Sequence, residues 1–350
     1  MTVADIVAAT RPTATKIWIA IALAVLALAV LALAALDPAA ARDTTLFVLN
    51  GFVHVAPLVA IGITLAAWIL ASGASDRVAA IFQGRTVQTV IAATVVGAIS
   101  PVCGVTVLPL MAGLLSAGVP LAPVMAFWLA SPITGPELLS VTAATLGWQF
   151  MLGKAAAAIF LGLVGGAVTA IFAGREWARS PLRRNGLAKA LSGGCAPCGD
   201  SEAAFEPRIW RDPTRRARFV REALSITRLM LIVLTPAFAA EYWLNALLQP
   251  DALAIYVGRD NPFAIPLTVL IGAPAYVDGY AALPLTRALM DHGMSAGAAM
   301  AFLVSGGVVS IWGAMAIFPV IRFKPFLLYL VLAIVLSMLS GWGFGAVHTV

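Results

Sequence analysis

Charged residues are scarce in this chain of 350 residues. Only 11% of its residues are Asp, Glu, Lys or Arg, whereas 61% are apolar, and its mean hydropathy is +0.96. So little polar surface cannot solvate a water-soluble globule of this length, which excludes that class of protein. We therefore expect the lipid bilayer to surround most of the chain.

The motifs that power or catalyse reactions are also missing. The sequence contains no Gly-rich Walker loop and no phosphorylatable P-type motif, so nothing indicates coupling to nucleotide hydrolysis. Its three histidines and three cysteines do not supply a His/Glu metal cluster, and no Ser/His/Asp set is evident. We expect neither an enzyme nor a bound cofactor.

Long apolar runs fill most of the sequence. A helix needs about 20 apolar residues to cross the hydrocarbon core. The first such run is too long for a signal peptide and no cleavage pattern follows it, so we expect it to be retained. The prediction is an all-α polytopic membrane protein with about nine spans: Ile17–Leu36, Leu46–Ala71, Thr86–Ala117, Pro120–Leu146, Gln149–Ala173, Ala223–Leu247, Pro262–Met290, Ser295–Ile317 and Phe323–Gly343.

Orientation follows from one polar segment, Ala173–Glu222. This segment carries 11 of the 22 Lys and Arg residues against six acids. Basic loops stay on the cytoplasmic side, so we predict a cytosolic loop and a multi-pass protein of the bacterial inner membrane. The run Arg211–Arg221 could instead bind nucleic acid, but loops between membrane helices are basic for topological reasons far more often. We expect no nucleic-acid partner, and the sequence is compatible with a homo-oligomer.

An internal repeat becomes visible when the sequence is shifted by 175 positions. Residues Gly97–Ser131 then align with Gly272–Gly306 without a gap, and 12 of 35 positions are identical. Shared apolar composition rarely puts prolines and glycines in register, so we predict two tandem repeats of about four transmembrane helices. An even number of crossings would give both copies one orientation, and an odd number would invert them. The predicted domains are an N-terminal helix and loop (1–45), repeat 1 (46–173), the cytosolic loop (174–222) and repeat 2 (223–350).

Helix-breaking residues lie near the middle of each copy. Breaks at membrane depth persist where protein packs around them or where they line a wet cavity, although Pro and Gly also simply kink packed helices. We predict interruptions near Pro101, at Pro109 and at Ser131–Pro136 in the first copy, and near Pro274, at Pro284 and at Ser305–Gly307 in the second. The predicted substrate path consists of Pro101, Cys103, Gly104, Pro109, Ser131, Pro132, Thr134, Glu137, Pro274, Tyr276, Asp278, Gly279 and Pro284.

Three of these side chains carry distinct chemistry. Cys103 offers a soft ligand for trivalent arsenic or Cu(I), although buried cysteines are more often small packing residues. At a shift of 175 its counterpart is Asp278. An acid within a span indicates an ion or proton pathway, or it accepts hydrogen bonds from freed backbone amides. Glu137 is a second candidate acid, unless it lies nearer the membrane interface.

Two further features have both functional and structural interpretations. The spacing of Cys195 and Cys198 in the cytosolic loop suits a thiophilic metal or a redox pair, but the loop supplies no third cysteine and no histidine for a full zinc site. The spacing is therefore also compatible with chance. Lys154 lies close to the start of its span, so we expect its long side chain to reach back to the membrane interface.

The Pro/Gly motifs resemble the signature of the ArsP-like predicted permeases. The resemblance covers nearly the whole chain and is carried by Gly97–Cys103, Leu108–Leu110, Gly118–Pro123 and Ala126–Pro132, with echoes at Gly272–Tyr276, Leu283–Leu285 and Gly293–Ser295. It implies an efflux permease for organic arsenicals or soft metals. The family's first motif often reads Cys-Xaa-Cys, whereas Val105 stands here in place of the second cysteine.

These observations together predict a membrane permease. We expect a secondary transporter that exports a small solute, such as a thiophilic metalloid or metal species, through a path between the two repeats. A channel is a close alternative. An intramembrane enzyme or a scaffold is a more distant one, since a scaffold has little reason to duplicate broken helices.

Overall fold

Helices make up all the regular structure that we can describe. The computed structural model describes residues 37–73, 86–100, 107–116, 118–183, 206–247, 258, 261, 263–272, 279–309, 314 and 317–348. Within these ranges the α-helices are α1 (Pro38–Ser72), α2 (Thr86–Ile99), α3 (Val107–Ser116), α4 (Leu121–Ala130), α5 (Pro136–Leu146), α6 (Trp148–Ile171), α7 (Glu176–Arg179), α8 (Pro213–Leu247), α9 (Ala264–Gly272), α10 (Gly279–Asp291), α11 (Ala296–Val308) and α12 (Phe323–Val347), with one 3-10 turn at Ile209–Arg211. The predicted all-α class is confirmed.

The helices of the two halves begin and end at corresponding places. Helices α1 and α8 are both 35 residues long and begin at Pro38 and Pro213, which are 175 positions apart. The first residues of α4 and α11, and those of α6 and α12, have the same separation, as do the last residues of α3 and α10. Equal separations mean that the same local sequence signals start and stop helices in both halves.

Glycine ends both α3 and α10 by the same device. Gly118 and Gly293 have φ angles of +88° and +100°, in the left-handed region that glycine adopts most readily. The amides one position later, in Val119 and Met294, each donate across the helix end to a carbonyl five residues earlier, at 3.0 Å. This Schellman arrangement satisfies carbonyls that a helix end leaves free.

The core consists of two similar groups of three helices. Contacts divide the chain into two units, Met1–Val53 and His54–Val350, and both groups belong to the second. Helices α2, α4 and α6 pack together, as do α9, α11 and α12. Glycines allow the close approach: a Cβ added to Gly97 would lie 2.8 Å from the carbonyl oxygen of Phe127, and one added to Gly272 would lie 3.0 Å from the ring of Phe302.

Helices α6 and α12 connect the two groups and run in opposite directions. A Cβ added to Gly153, near the start of α6, would lie 2.3 Å from the ring of Phe344, near the end of α12. Farther along α6, a Cβ added to Gly165 would lie 3.8 Å from the side chain of Leu336, which comes earlier in α12. Because later residues of α6 contact earlier residues of α12, the two helices are antiparallel.

The outer surface of α12 is apolar along its whole length. Exposed side chains recur every three or four residues and form one stripe: Phe323, Leu327, Val331, Val335, Leu339 and Trp342. A continuous apolar stripe of this length is unusual on a protein that faces water and suits contact with lipid tails. Among the described helices, Trp148–Ile171 and Phe323–Val347 are long and apolar enough to cross a membrane.

Several helices differ from expectation. The helix that contains the expected span Ala223–Leu247 begins earlier, at Pro213, where Asp212 caps its first turn. Helix α3 continues through Pro109 and α10 continues through Pro284, so neither proline interrupts its helix. Helix α11 also continues through Ser305–Gly307, where we expected a break. The equivalent helix α4 stops at Ala130, just ahead of Pro132, and α11 has no proline there, so it extends further.

Candidate functional site

Several of the predicted path residues lie outside the described part of the chain. These are Pro101, Cys103, Gly104, Pro274, Tyr276 and Asp278, and the loop cysteines Cys195 and Cys198 lie outside it as well. For three others the structure gives the position in the backbone: Pro109 is the third residue of α3, Glu137 the second of α5 and Gly279 the first of α10. Pro284 is exposed on α10.

The remaining predicted residues come together at the break between α4 and α5. The chain leaves α4 at Ser131 and re-enters helical structure at Pro136, where a proline is favoured because the first turn needs no amide donor. The hydroxyl of Thr134 donates to the carbonyl oxygen of Ala98 at 2.8 Å. That carbonyl lies in the last turn of α2, where carbonyl oxygens have no amide donor within the helix. Ser131 and Thr134 are both buried, so the break is an inner feature.

The end of α11 meets this break. A Cβ added to Gly307 would lie 3.1 Å from the carbonyl oxygen of Pro132 and 3.7 Å from the Cα of Ile133, so glycine favours this close approach. Pro132 and Gly307 are themselves 175 positions apart. The two halves of the molecule thus touch at corresponding points of their backbones.

Two aromatic side chains that sequence reasoning did not select also lie at this junction. The rings of Trp128 in α4 and Tyr329 in α12 stack with their centroids 3.9 Å apart and their planes 8° apart. The hydroxyl of Tyr329 donates to the carbonyl oxygen of Val308, the last residue of α11. The sequence did contain a signal for them. Each is a ring with a polar atom in an otherwise apolar helix, and the polar atom of a buried Trp or Tyr usually needs a hydrogen-bond partner.

Some polar atoms here have no partner. The indole nitrogen of Trp128 and the hydroxyl of Ser131 are buried without a hydrogen bond in the described structure, as is the hydroxyl of Ser337 in α12. Each unsatisfied buried polar group destabilises a fold by about 1 to 3 kcal/mol. Such groups mark places where a water or a solute can complete the hydrogen bonding.

Lys154 corrects one expectation. Its side chain does not reach the membrane interface but is 2% exposed, inside the protein on the same face of α6 as Ala158 and Leu161. No described group forms an ion pair or a hydrogen bond with its ammonium group. Sequence offered one signal, since Lys154 is the only charged residue between Glu137 and Arg175. An isolated charge within a span is a functional candidate by default.

Metal ligands are not clustered among the described residues. No three His, Cys, Asp or Glu side chains there come close enough together to hold a metal ion. The junction of α2, α4, α11 and α12 is instead a site of backbone carbonyls and hydroxyls. Such groups bind polar or charged solutes by hydrogen bonding.

Comparison with known proteins places the chain in a family. The model of the ArsP_1 family, described as a predicted permease, matches residues 42–345. A UPF0718 protein of Methanocaldococcus jannaschii is 25% identical over 291 residues, which cover 71% of this chain and 80% of that protein. No solved structure matches the chain. Because the family match spans both halves and the break between α4 and α5, the chain belongs to this family of predicted permeases and is a multi-pass membrane protein.

Proposed function

We propose that the protein is a secondary transporter that exports a small solute through a path between its two halves. The observation that carries this proposal is the junction at Pro132 and Gly307, where a broken helix of one half meets a helix end of the other. Non-helical backbone inside a membrane protein persists where it packs in protein or lines a cavity. Transporters of this general design bind their solutes at the interface between repeats, near the bilayer midplane.

We further propose that the two halves are inverted copies. Helix boundaries that recur after 175 residues support the repeat, and the antiparallel packing of α6 on α12 supports opposite orientations. The contact between Pro132 and Gly307 joins two corresponding positions, so a pseudo-two-fold axis would pass close to it. An inverted pair requires an odd number of crossings in each copy and suits a site that opens alternately to either side.

The helix boundaries also refine the proposed domains. The correspondence begins with the aspartates that cap α1 and α8, Asp37 and Asp212, and it continues to the ends of α6 and α12. The copies would therefore be residues 37–171 and 212–347, joined by a shorter basic loop on the cytosolic side. Each would begin earlier than residues 46 and 223, which the apolar runs suggest.

The proposed path continues from the junction along the predicted residues. Ser131, Pro132 and Thr134 would form part of its wall, and we propose that Cys103 and Asp278 line the same path. Cysteine-accessibility labelling tests this directly. A cysteine at position 278 should react with a small water-soluble thiol reagent in intact cells, and complete protection by lipid would remove Asp278 from the path.

A thiophilic metalloid or metal species is the proposed solute. The thiol of Cys103 supports it, because soft ligands select soft cations and trivalent arsenic. A strain without the protein should accumulate the solute and lose resistance when challenged with trivalent arsenicals, Cu, Zn and Cd in turn. Unchanged accumulation and resistance across the panel would eliminate this class of solute.

A channel is the competing function, and reconstitution separates the two. Purified protein in proteoliposomes should give a solute flux that saturates with concentration and accelerates when unlabelled solute is present on the opposite side. A channel would give a flux that does not saturate and shows no such exchange. An enzyme or a scaffold would give no flux.

A further inference from the structure

Lys154 is a buried cation that the proposed transport path does not yet explain. Its side chain is 2% exposed, and no described group pairs with its ammonium group. A charge held inside a membrane protein without a partner is costly, and such residues usually mark solute or ion pathways. Whether Lys154 can contact a solute therefore depends on how close it lies to the junction.

Helix register locates Lys154 at the level of the broken helices. A Cβ added to Gly166 would lie 2.6 Å from Val90, and one added to Gly162 would lie 2.5 Å from Thr94, so α6 and α2 run antiparallel in step. Lys154 comes eight residues before Gly162, whereas α2 ends at Ile99, five residues after Thr94. Lys154 consequently lies beyond the end of α2, where the regular helix has stopped.

The second half shows what a side chain at this position reaches. Tyr329 occupies the same place in α12, 175 positions after Lys154, and its hydroxyl donates to Val308 at the end of α11. The corresponding carbonyl in the first half belongs to Ile133, within the break after α4. A side chain that extends from Lys154 as Tyr329 extends from α12 would bring three donors and a full positive charge towards the break, in place of one neutral hydroxyl.

We propose that Lys154 binds the negatively charged group of the transported solute, which is a small organic oxyanion such as an arsonate, a phosphonate or a carboxylate. The buried, unpartnered hydroxyl of Ser131 and indole nitrogen of Trp128 supply further donors in the same part of the chain. This inference rests on the proposed transport function, and it favours an organic oxyanion over a thiophilic metal species as the solute. A bound anion compensates the ammonium charge and completes the unsatisfied hydrogen bonding.

Reconstituted protein tests the proposal with three anions and a neutral solute. Proteoliposomes are loaded with phenylarsonate, phenylphosphonate or benzoate, and with uncharged phenylarsine oxide for comparison. We expect saturable flux of at least one anion by the wild type. Lys154→Met should weaken its binding about a hundredfold, the size expected when one partner of a buried charge pair is lost. Lys154→Arg should retain part of the flux.

A matched variant separates recognition from folding. Lys154→Tyr reproduces the side chain that the second half uses at the same place, so it should melt at the wild-type temperature while it loses anion flux. Lys324→Met removes an exposed lysine at the start of α12 and should leave flux unchanged. Anion flux by Lys154→Tyr at the wild-type rate would make Lys154 a structural cation and overturn the proposal.

The remaining outcomes are also decisive. If the wild type carries phenylarsine oxide but none of the anions, transport stands and anion recognition by Lys154 fails. If Glu137→Gln restores flux to Lys154→Met, the lysine serves as partner to a carboxylate, and the proposal again fails. Absence of flux for all four solutes also overturns anion recognition by Lys154, whereas the proposed transport function fails only if Cu, Zn and Cd are not carried either.

Discussion

The two halves of the chain share several helix boundaries but differ in chemistry where they meet. The first half has a buried lysine, Lys154, in α6 and a break at Pro132, whereas the corresponding positions in the second half are Tyr329 and Gly307. The glycines that bring the helices together recur in both halves, at Gly97 and Gly272 among others. The glycines thus allow the same close helix packing in both halves, whereas the polar side chains near the junction differ between them.

A single proline accounts for the different ends of α4 and α11. Helix α4 ends at Ala130, but α11 continues through the corresponding position to Val308. Pro132 has no amide hydrogen to continue the helical bonding after Ser131, which is itself still helical, whereas Gly307 has an amide donor. The first half therefore exposes carbonyls to the junction at a point where the second half is still helical.

Alanine at Gly97 should destabilise the protein more than alanine at its counterpart, Gly272. The new Cβ at Gly97 would lie 2.8 Å from the backbone oxygen of Phe127, and backbone cannot rotate away. We expect a loss of about 3 kcal/mol, at the upper end for overpacking, in denaturation in mixed micelles. At Gly272 the nearest atoms are the side chains of Ser305 and Phe302, which can shift, so alanine there should destabilise by about 1 kcal/mol.

Gly343→Ala is the matched control for this pair. Gly343 lies within α12, and a Cβ at that position meets no atom within 4 Å. Alanine there should be neutral or stabilising by up to about 1 kcal/mol, because it removes the entropy cost of glycine in a helix. Equal losses at Gly97 and Gly272 would contradict the contrast between backbone and side-chain neighbours.

The sequence predicted where helices break better than it predicted which side chains pack together between the helices. Recurring Gly and Pro residues revealed the repeat pattern and the break at Ser131–Pro136, because these residue types act on the local backbone. The burial of Lys154 and the stacking of Trp128 on Tyr329 were not predicted, since they depend on which helix faces meet. Counting spans also gave no orientation for the halves, because α2 and α4 have only 14 and 10 residues and each is shorter than a full crossing.

Alanine at either helix-ending glycine should have an intermediate and equal effect in the two halves. Gly118 and Gly293 have left-handed φ angles, and an added Cβ at either meets nothing within 4 Å. The loss is therefore conformational and should be about 1 kcal/mol at each position. Gly174→Ala, whose Cβ also meets nothing and whose φ is not left-handed, should be neutral in the same measurement. A clear difference between Gly118→Ala and Gly293→Ala would show that the two helix ends are not equivalent.

The smallest expected difference concerns the aspartates that precede α1 and α8. Asp212 accepts hydrogen bonds from both the hydroxyl and the amide of Thr214, at 2.6 and 2.8 Å, whereas Asp37 accepts one from the amide of Ala40, at 3.0 Å. The hydroxyl of Thr214, followed by its amide, lowers the pKa of Asp212 below its usual 3.8. A carboxyl with a lowered pKa in the folded state stabilises the protein above about pH 4, and this contribution is lost as the pH falls through the lower folded value. The melting temperature of Asp212→Ala should therefore lie below that of the wild type at pH 7 and approach it as the pH falls below about 4. Asp37→Ala should lower the melting temperature less at pH 7, because one cap hydrogen bond is lost instead of two.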